Sequence, residues 1–290
     1  MLPARTALLT TVVLMTSCSG SGSAAPAMSA AVTDERSAKD DPTPGGSTVE
    51  TRFAAPAGFT RSAAAPGSFG AYLRSLKLKP AGSPVHYYNG AIKGRHVHAA
   101  VVDLDVGTRD LQQCADAVMR LRAEWLYAQG QYDRIAFSFS DGFSAAYDKW
   151  RQGYRIGVRG NSAYWTKSAA PSTAYADFRK YLDAVYMYAG TLTLSRQLQQ
   201  KPVAELAIGD VFIRGGSPGH AVIVVDVVED ARGGRRFLLA QSYMPAQEIH
   251  ILKNPNSTDG SPWYDAGFGS VLETPEWDFR ASELKTWPHE

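Results

Sequence analysis

The chain is poor in cysteine: its 290 residues include only Cys18 and Cys114. That excludes a small disulfide scaffold held together by several bridges. It has no excess of either charge, with 30 Lys and Arg against 28 Asp and Glu and a net charge of +2. No Lys/Arg run is dense enough for the basic stripe of a nucleic-acid groove, so no nucleic-acid partner is expected. Beyond the first residues there is no apolar run long enough to cross a bilayer as a helix, and no internal repeat marks a solenoid or propeller. Metal-ligand spacing is missing as well. His96 and His98 alternate onto one strand face, but no third ligand stands at a recognisable distance and H-E-x-x-H is absent. GGSPGH lacks the spacing of a phosphate loop, and Asp103 and Asp105, two acids on one strand, define no substrate-flanking pair. Neither metal nor cofactor is implied. What is present, 44% apolar and 11% aromatic residues, suits a globular protein with a substantial core.

The N-terminus reads as an export signal. Arg5 precedes a short apolar run, Ala7–Met15, too short for a permanent span. Leu14-Met15-Thr16-Ser17-Cys18 resembles a bacterial lipobox. The resemblance implies lipid on Cys18 and an exported protein of the bacterial cell envelope, held to a membrane by its acyl chains. An ordinary secretory signal cut near Ala24-Ala25 is the alternative. Residues 19–66, rich in Ser, Ala, Gly, Pro and Thr, bury too little apolar surface to fold and are expected as a flexible tether. Residues 67–290 are expected as one globular domain, after a signal at 1–18.

Within that domain Ser68 caps a short helix, FGAYLRSL. A second helix, DLQQCADAVMRLRAEWLYAQ, capped by Thr108 or Asp110, carries the apolar stripe Leu111, Ala115, Val118, Leu121 and Trp125. AAYDKWRQGY is a short helix. Ser172 or Thr173 opens a long one through YADFRKYLDAVYMYAG that continues to Gln200. PVHYYNG, HVHAAVVDLDV and IAFSF read as strands, and RIGVRGNSAYWTK as a hairpin turning at Gly160-Asn161. The last third is β: DVFI, HAVIVVDVVE, a Gly233-Gly234 turn, RRFLLAQSY and EIHIL. The expected class is α+β, helices followed by a small antiparallel sheet. The tail from Lys253, with many Pro, Gly and Trp residues, is expected to wrap the surface.

With Cys18 lipidated, Cys114 is a lone thiol. A thiol nucleophile needs a base and a group that orients the base. About one turn into its helix, Cys114 sits near the limit of the helix-dipole effect, so an imidazole must supply most of the activation. His220, at the head of an apolar strand, is the candidate base. Asp226 shares its face but lies about 20 Å along the strand. A hairpin pivoting near Ala231-Arg232 instead sets residues 241 to 244 opposite 220 to 223. Gln241 can then accept from the imidazole and fix its tautomer. Tyr243 shares that face, and a one-residue slip selects Ser242. The Cys114 N–H, with Gln112 or Gln113, is a candidate oxyanion site. The bland alternative is a buried structural cysteine beside an apolar stripe and a core histidine.

Gly209-Asp210-Val211, Gly219-His220-Ala221 with its Val/Ile run, and LLAQSY are similar to the second half of papain-like bacterial cell-wall hydrolases, the CHAP amidases and NlpC/P60 peptidases. There a helix-borne cysteine precedes a strand-borne histidine, and a polar residue on the next strand orients it. The resemblance implies a papain-like fold and a cysteine amidase or peptidase acting on cell-wall peptide amides, with peptidoglycan or peptide as substrate and Cys114, His220 and Gln241 in those roles. This chain departs from the pattern in its 106-residue separation of Cys114 from His220 and in lacking Asp-Cys-Ser or Asn-Cys. Over residues 57–287 it resembles the bacterial family called domain of unknown function 4846, through GSFGAYLRSLKLKPAGSPVHYYNG, DLQQCADAVMRLRAEWLY, KWRQGYRI, RKYLDAVYMYAGTLTL, IGDVFIRGGSPGHAVIVVD and LLAQSYMPAQ. That likeness brings no activity with it. The competing expectation is a non-catalytic envelope lipoprotein that binds a glycan, peptide or protein.

Overall fold

The computed structural model describes residues 45–288; Cys18 and the signal assigned to 1–18 lie outside them. In chain order the elements are α1 (Val49–Arg52), β1 (Phe59–Arg61), α2 (Phe69–Arg74), β2 (His98–Val101), α3 (Cys114–Ala128), β3 (Ala136–Ser138), β4 (Ser144–Ala146), α4 (Tyr147–Arg151), β5 (Tyr154–Arg159), β6 (Ser162–Lys167), α5 (Tyr175–Tyr186), α6 (Thr191–Gln197), β7 (Gln199–Gln200), β8 (Val211–Arg214), β9 (His220–Asp230), β10 (Arg235–Gln241), β11 (His250–Leu252), β12 (Tyr264–Asp265), β13 (Val271–Glu273), β14 (Asp278–Arg280) and β15 (Leu284–Thr286). The expected mixture of helix and antiparallel strand is present. The expected small sheet is not: the main sheet has nine strands, in the order β2-β11-β10-β9-β8-β15-β7, with β1 on β9 and β12 on β10. It outgrows the expectation because it recruits β1 and β2 from before α3 and two strands from the tail.

The long strand β9 organises the sheet. Its first half pairs with β8 and its second half with β1 along one edge, while β10 runs along the other. Both faces of β9 are buried, which is why HAVIVVDVV is almost continuously apolar. Ala221, Ile223, Val225 and Val228 join α2, α3 and α5 in one core; Val222, Val224 and Val227 join Phe212, Phe237, Leu272 and Phe279 in a second core beneath the tail. The register with β10 shifts between Leu238 and Leu239, which pair with Asp226 and Val224. This β-bulge leaves Val225 unpaired and turns Val225 and Asp226 both toward the helices. Asp226 therefore does not share a face with His220, contrary to simple alternation. It meets Arg61 Nε at 2.9 Å and Arg74 Nε at 2.5 Å, binding β1 and α2 to the sheet.

Those contacts move the domain boundary. Residues 45–66, expected as the end of the tether, belong to the fold. Thr48 caps α1, with its hydroxyl accepting from Thr51 N–H at 3.3 Å. Val49 and Phe53 are buried in the helix-side core. The Ala- and Gly-rich composition hid these few anchors. PVHYYNG forms no strand, only isolated pairings of His86 with Ile92 and Tyr87 with Gln247. The hairpin β5–β6 turns at Gly160-Asn161 as expected, with Arg159 opposite Ser162.

Candidate functional site

A cleft of about 420 Å³ opens where the start of α3, the α5–α6 connection, the β8–β9 loop and the tail converge; Cys114, His220, Tyr243, Trp277, Thr191 and Met244 are among its lining residues. A larger hollow of about 820 Å³ beside Phe69 and Trp125 has neither cysteine nor histidine in its lining. The chemistry is therefore sought in the smaller cleft.

Cys114 is the first residue of α3, not one turn inside it. Gln113 is the N-cap, and its N–H donates to Asp116 Oδ2 at 3.0 Å. Asp110, expected among the caps, is used elsewhere: its Oδ1 accepts from Ala246 N–H at 2.7 Å and from Gln113 Nε2 at 3.2 Å. At the helix N-terminus the backbone N–H groups of Ala115, Ala221 and Cys114 itself favour thiolate. Burial outweighs them. With only 9% of its surface exposed, the thiol is pushed up to about 11, first by desolvation and then by the neighbouring Asp116. Burial also raises the Asp116 carboxyl well above its ordinary range. Its Oδ1 and the Tyr186 hydroxyl, both on residues lining the cleft, have no hydrogen-bond partner among the described residues.

His220 opens β9 with its ring against Tyr243, Trp277 and Phe279, at centroid separations of 4.7, 5.6 and 5.9 Å. Of the three residues weighed as its orienting group, Gln241 makes the bond: its Oε1 lies 2.9 Å from His220 Nε2. Ala240 pairs with Ile223, so Gln241 is the diagonal cross-strand neighbour of His220, within side-chain reach. Ser242 is buried between two carbonyls, with its hydroxyl 3.0 Å from Gln112 O and 2.7 Å from Gln247 O. It fastens the end of β10 to the loop that precedes Cys114. Tyr243 contributes a ring face. Burial lowers the imidazole to about 4, against the opposing pull of the Gln241 bond and the Glu276 charge; Lys93 adds to the lowering.

Cys114 and His220 thus line one cleft, and the backbone of Ala221, the residue after His220, favours the Cys114 thiolate. Gln113 reaches the cleft as well. Gln112 is buried and is not among the residues lining the cleft, so its amide is not available to an oxyanion there; its Oε1 accepts from Arg120 Nη1 at 2.7 Å. His96 and His98 lie apart, beside Lys253 in a separate hollow, with His98 Nε2 3.1 Å from Ser83 O. Asp105 pairs with Arg179 at 3.1 Å. Sequence reasoning missed four residues that bear on His220: Trp277 and Glu276 from the tail, Lys93 from the loop before β2, and His250 on β11. Only the richness of the tail in Trp hinted at any of them.

Residues 49–286 match the family described as Domain of unknown function (4846), and the chain belongs to that family. No curated protein and no solved structure matches the chain.

Proposed function

We propose that this protein is a papain-like cysteine hydrolase of the bacterial envelope, an amidase or peptidase tethered through Cys18 and acting on amide bonds of cell-wall peptide. One observation carries the reading. A helix N-terminal cysteine and a histidine line the same cleft, and that histidine is bonded through Nε2 to a cross-strand glutamine carbonyl. With its Nε2 proton engaged by Gln241, the neutral imidazole has Nδ1 free as the base. As Cys114 Sγ bonds to the substrate carbonyl carbon, the thiol proton passes to His220. The imidazolium returns it to the leaving nitrogen as the C–N bond breaks, and water then hydrolyses the thioester. In this reading the free N–H groups of the first turn of α3 receive the oxyanion.

The test is incubation of the full chain with purified peptidoglycan and with its soluble peptide stems, read by mass spectrometry. New carboxyl and amino termini are expected with wild type and not with Cys114→Ala or His220→Ala. Intact substrate with wild type, or equal cleavage by Cys114→Ala, overturns the proposal. The competing reading, a non-catalytic lipoprotein that binds peptide or glycan in this cleft, draws support from the burial of Cys114. It predicts binding of the same fragments with no cleavage.

A further inference from the structure

A chain of buried polar groups extends behind Gln241, away from the cleft. His250 stands directly across the β10–β11 ladder from Gln241. Its Nδ1 is 2.9 Å from Glu248 O, and a carbonyl can only accept, so Nδ1 carries the proton and Nε2 is the bare nitrogen. That Nε2 lies 3.3 Å from Gln241 Nε2, and Glu276 Oε2 lies 2.7 Å from the same amide nitrogen. Both partners are acceptors, so the NH₂ of Gln241 must face them. Turning the amide over would set its oxygen against the Glu276 carboxylate. Lys93 holds Glu276 in turn, with Nζ 2.7 and 2.9 Å from its two oxygens and 2.9 Å from Gln247 Oε1; three acceptors satisfy its three protons. Lys93 and Glu276 side chains are 3% and 5% exposed. A buried ion pair is weak evidence for stability alone, and this one lies against an amide that touches a histidine in the cleft.

We propose that Glu276, His250 and Lys93 are positioning residues for His220: they hold the Gln241 amide in the orientation that keeps a proton on His220 Nε2 and leaves Nδ1 free. The inference gains its catalytic meaning from the reading of His220 as the base, but its test does not depend on turnover. Besides these groups, Tyr243 lies against the ring, Cys114, Asp110, Asp116 and Tyr186 line the same cleft, and Arg95 Nη1 stands 3.7 Å from Glu276 Oε1. The Glu276 charge raises the affinity of His220 for a proton and the Lys93 charge lowers it.

The experiment uses the full chain labelled with ¹⁵N-histidine, with ring nitrogens read by long-range proton–nitrogen correlation. Wild type is expected to show His220 as the Nε2–H tautomer and His250 as Nδ1–H. His220 as Nδ1–H overturns the proposal without any variant. Glu276→Gln keeps an acceptor and loses the charge, and should lower the His220 pKa; Lys93→Met should raise it. General loosening of the core would not shift the two oppositely, so shifts of the same sign, or none, overturn the electrostatic half. Folded Glu276→Leu should show a mixture of His220 tautomers, and a pure Nε2–H spectrum there overturns the positioning role. Because Cys114 is untouched and no substrate is used, these outcomes are independent of whether Cys114 proves nucleophilic.

Discussion

The pKa directions at the cleft set the resting state of the Cys114–His220 pair, and that state can be titrated. With the thiol pushed up to about 11 and the imidazole down to about 4, both groups are neutral at pH 7. A free thiol has a pKa of about 8.5, so at pH 7.5 the thiolate fraction of Cys114 is lower by roughly 300-fold. The perturbation is pH and the assay is carboxamidomethylation by iodoacetamide, followed on the Cys114 peptide by mass spectrometry so that Cys18 does not contribute. Cys114 in the folded chain should label at least about two orders of magnitude more slowly than in the urea-unfolded chain at the same pH. Its rate should keep rising to the highest pH at which the fold survives. His220→Ala should leave this labelling nearly unchanged, because a neutral imidazole holds no thiolate in place. Labelling at pH 6 faster than in the unfolded chain would refute the reasoning and replace the neutral pair by a thiolate–imidazolium pair. The same logic fixes the sign for turnover: a base must be unprotonated, so a cleavage rate should rise as pH passes upward through about 4 and then stay level through neutrality.

Three further outcomes are expected. Asp226→Ala removes a fully buried carboxylate and strands the Arg74 guanidinium, whose side chain is 8% exposed; the cost should be about 3–5 kcal/mol. For a domain of this size that is a Tm lower by about 6–20 °C, and a loss under about 1 kcal/mol in urea titration refutes the bulge-centred network. Starting the chain at residue 67 instead of 45 deletes buried Val49 and Phe53 and the Arg61 partner of Asp226. The shorter chain should lose its cooperative melt by circular dichroism while the longer keeps it. His250 is held neutral by burial, which pulls it down to about 3, so its stabilising contribution is complete above the unfolded value of about 6.5 and is lost as pH falls below that. Between pH 7 and pH 5 the stability of wild type relative to His250→Gln should drop by roughly 2 kcal/mol; a constant difference in denaturant titrations contradicts a buried neutral His250.

How much of this was legible depended on whether the determining contacts were local. The β9–β10 hairpin was readable because a long Val/Ile run meets Gly233-Gly234 and a second apolar run, and its register led to Gln241 rather than Asp226 or Ser242. Gly160-Asn161 located β5–β6 for the same reason. The start of α3 was misread because Asp110 looks like a cap, yet its carboxylate holds Ala246 and Asp116 does the capping. The bulge at Val225 has no sequence signature, since Val225 and Asp226 continue an ordinary alternation. Arg61 with Asp226, and Lys93 with Glu276, join residues 165 and 183 positions apart. No periodicity reports such pairings, so both the true domain boundary and the groups behind His220 stayed hidden.

The 106-residue separation of Cys114 from His220 has a structural account. Between α3 and β8 the chain builds two small hairpins, β3–β4 and β5–β6, which pair only within themselves, and then α5 and α6. The end of this stretch returns to the cleft, where Tyr186, Ala189, Gly190 and Thr191 form a wall. Thr191 also reaches the loop ahead of His220: its hydroxyl donates to Gly216 O at 3.1 Å. A Cβ on Gly219 would lie 2.5 Å from that hydroxyl oxygen and 2.6 Å from Gly216 O, closer than any side chain tolerates. The glycine before His220 is therefore needed where Thr191 clamps the histidine loop. The residues between Cys114 and His220 supply this wall of the cleft and clamp the loop that leads into His220. On the proposed function, selectivity for one peptide amide over another belongs to this wall, while the bond-breaking groups belong to α3 and the sheet.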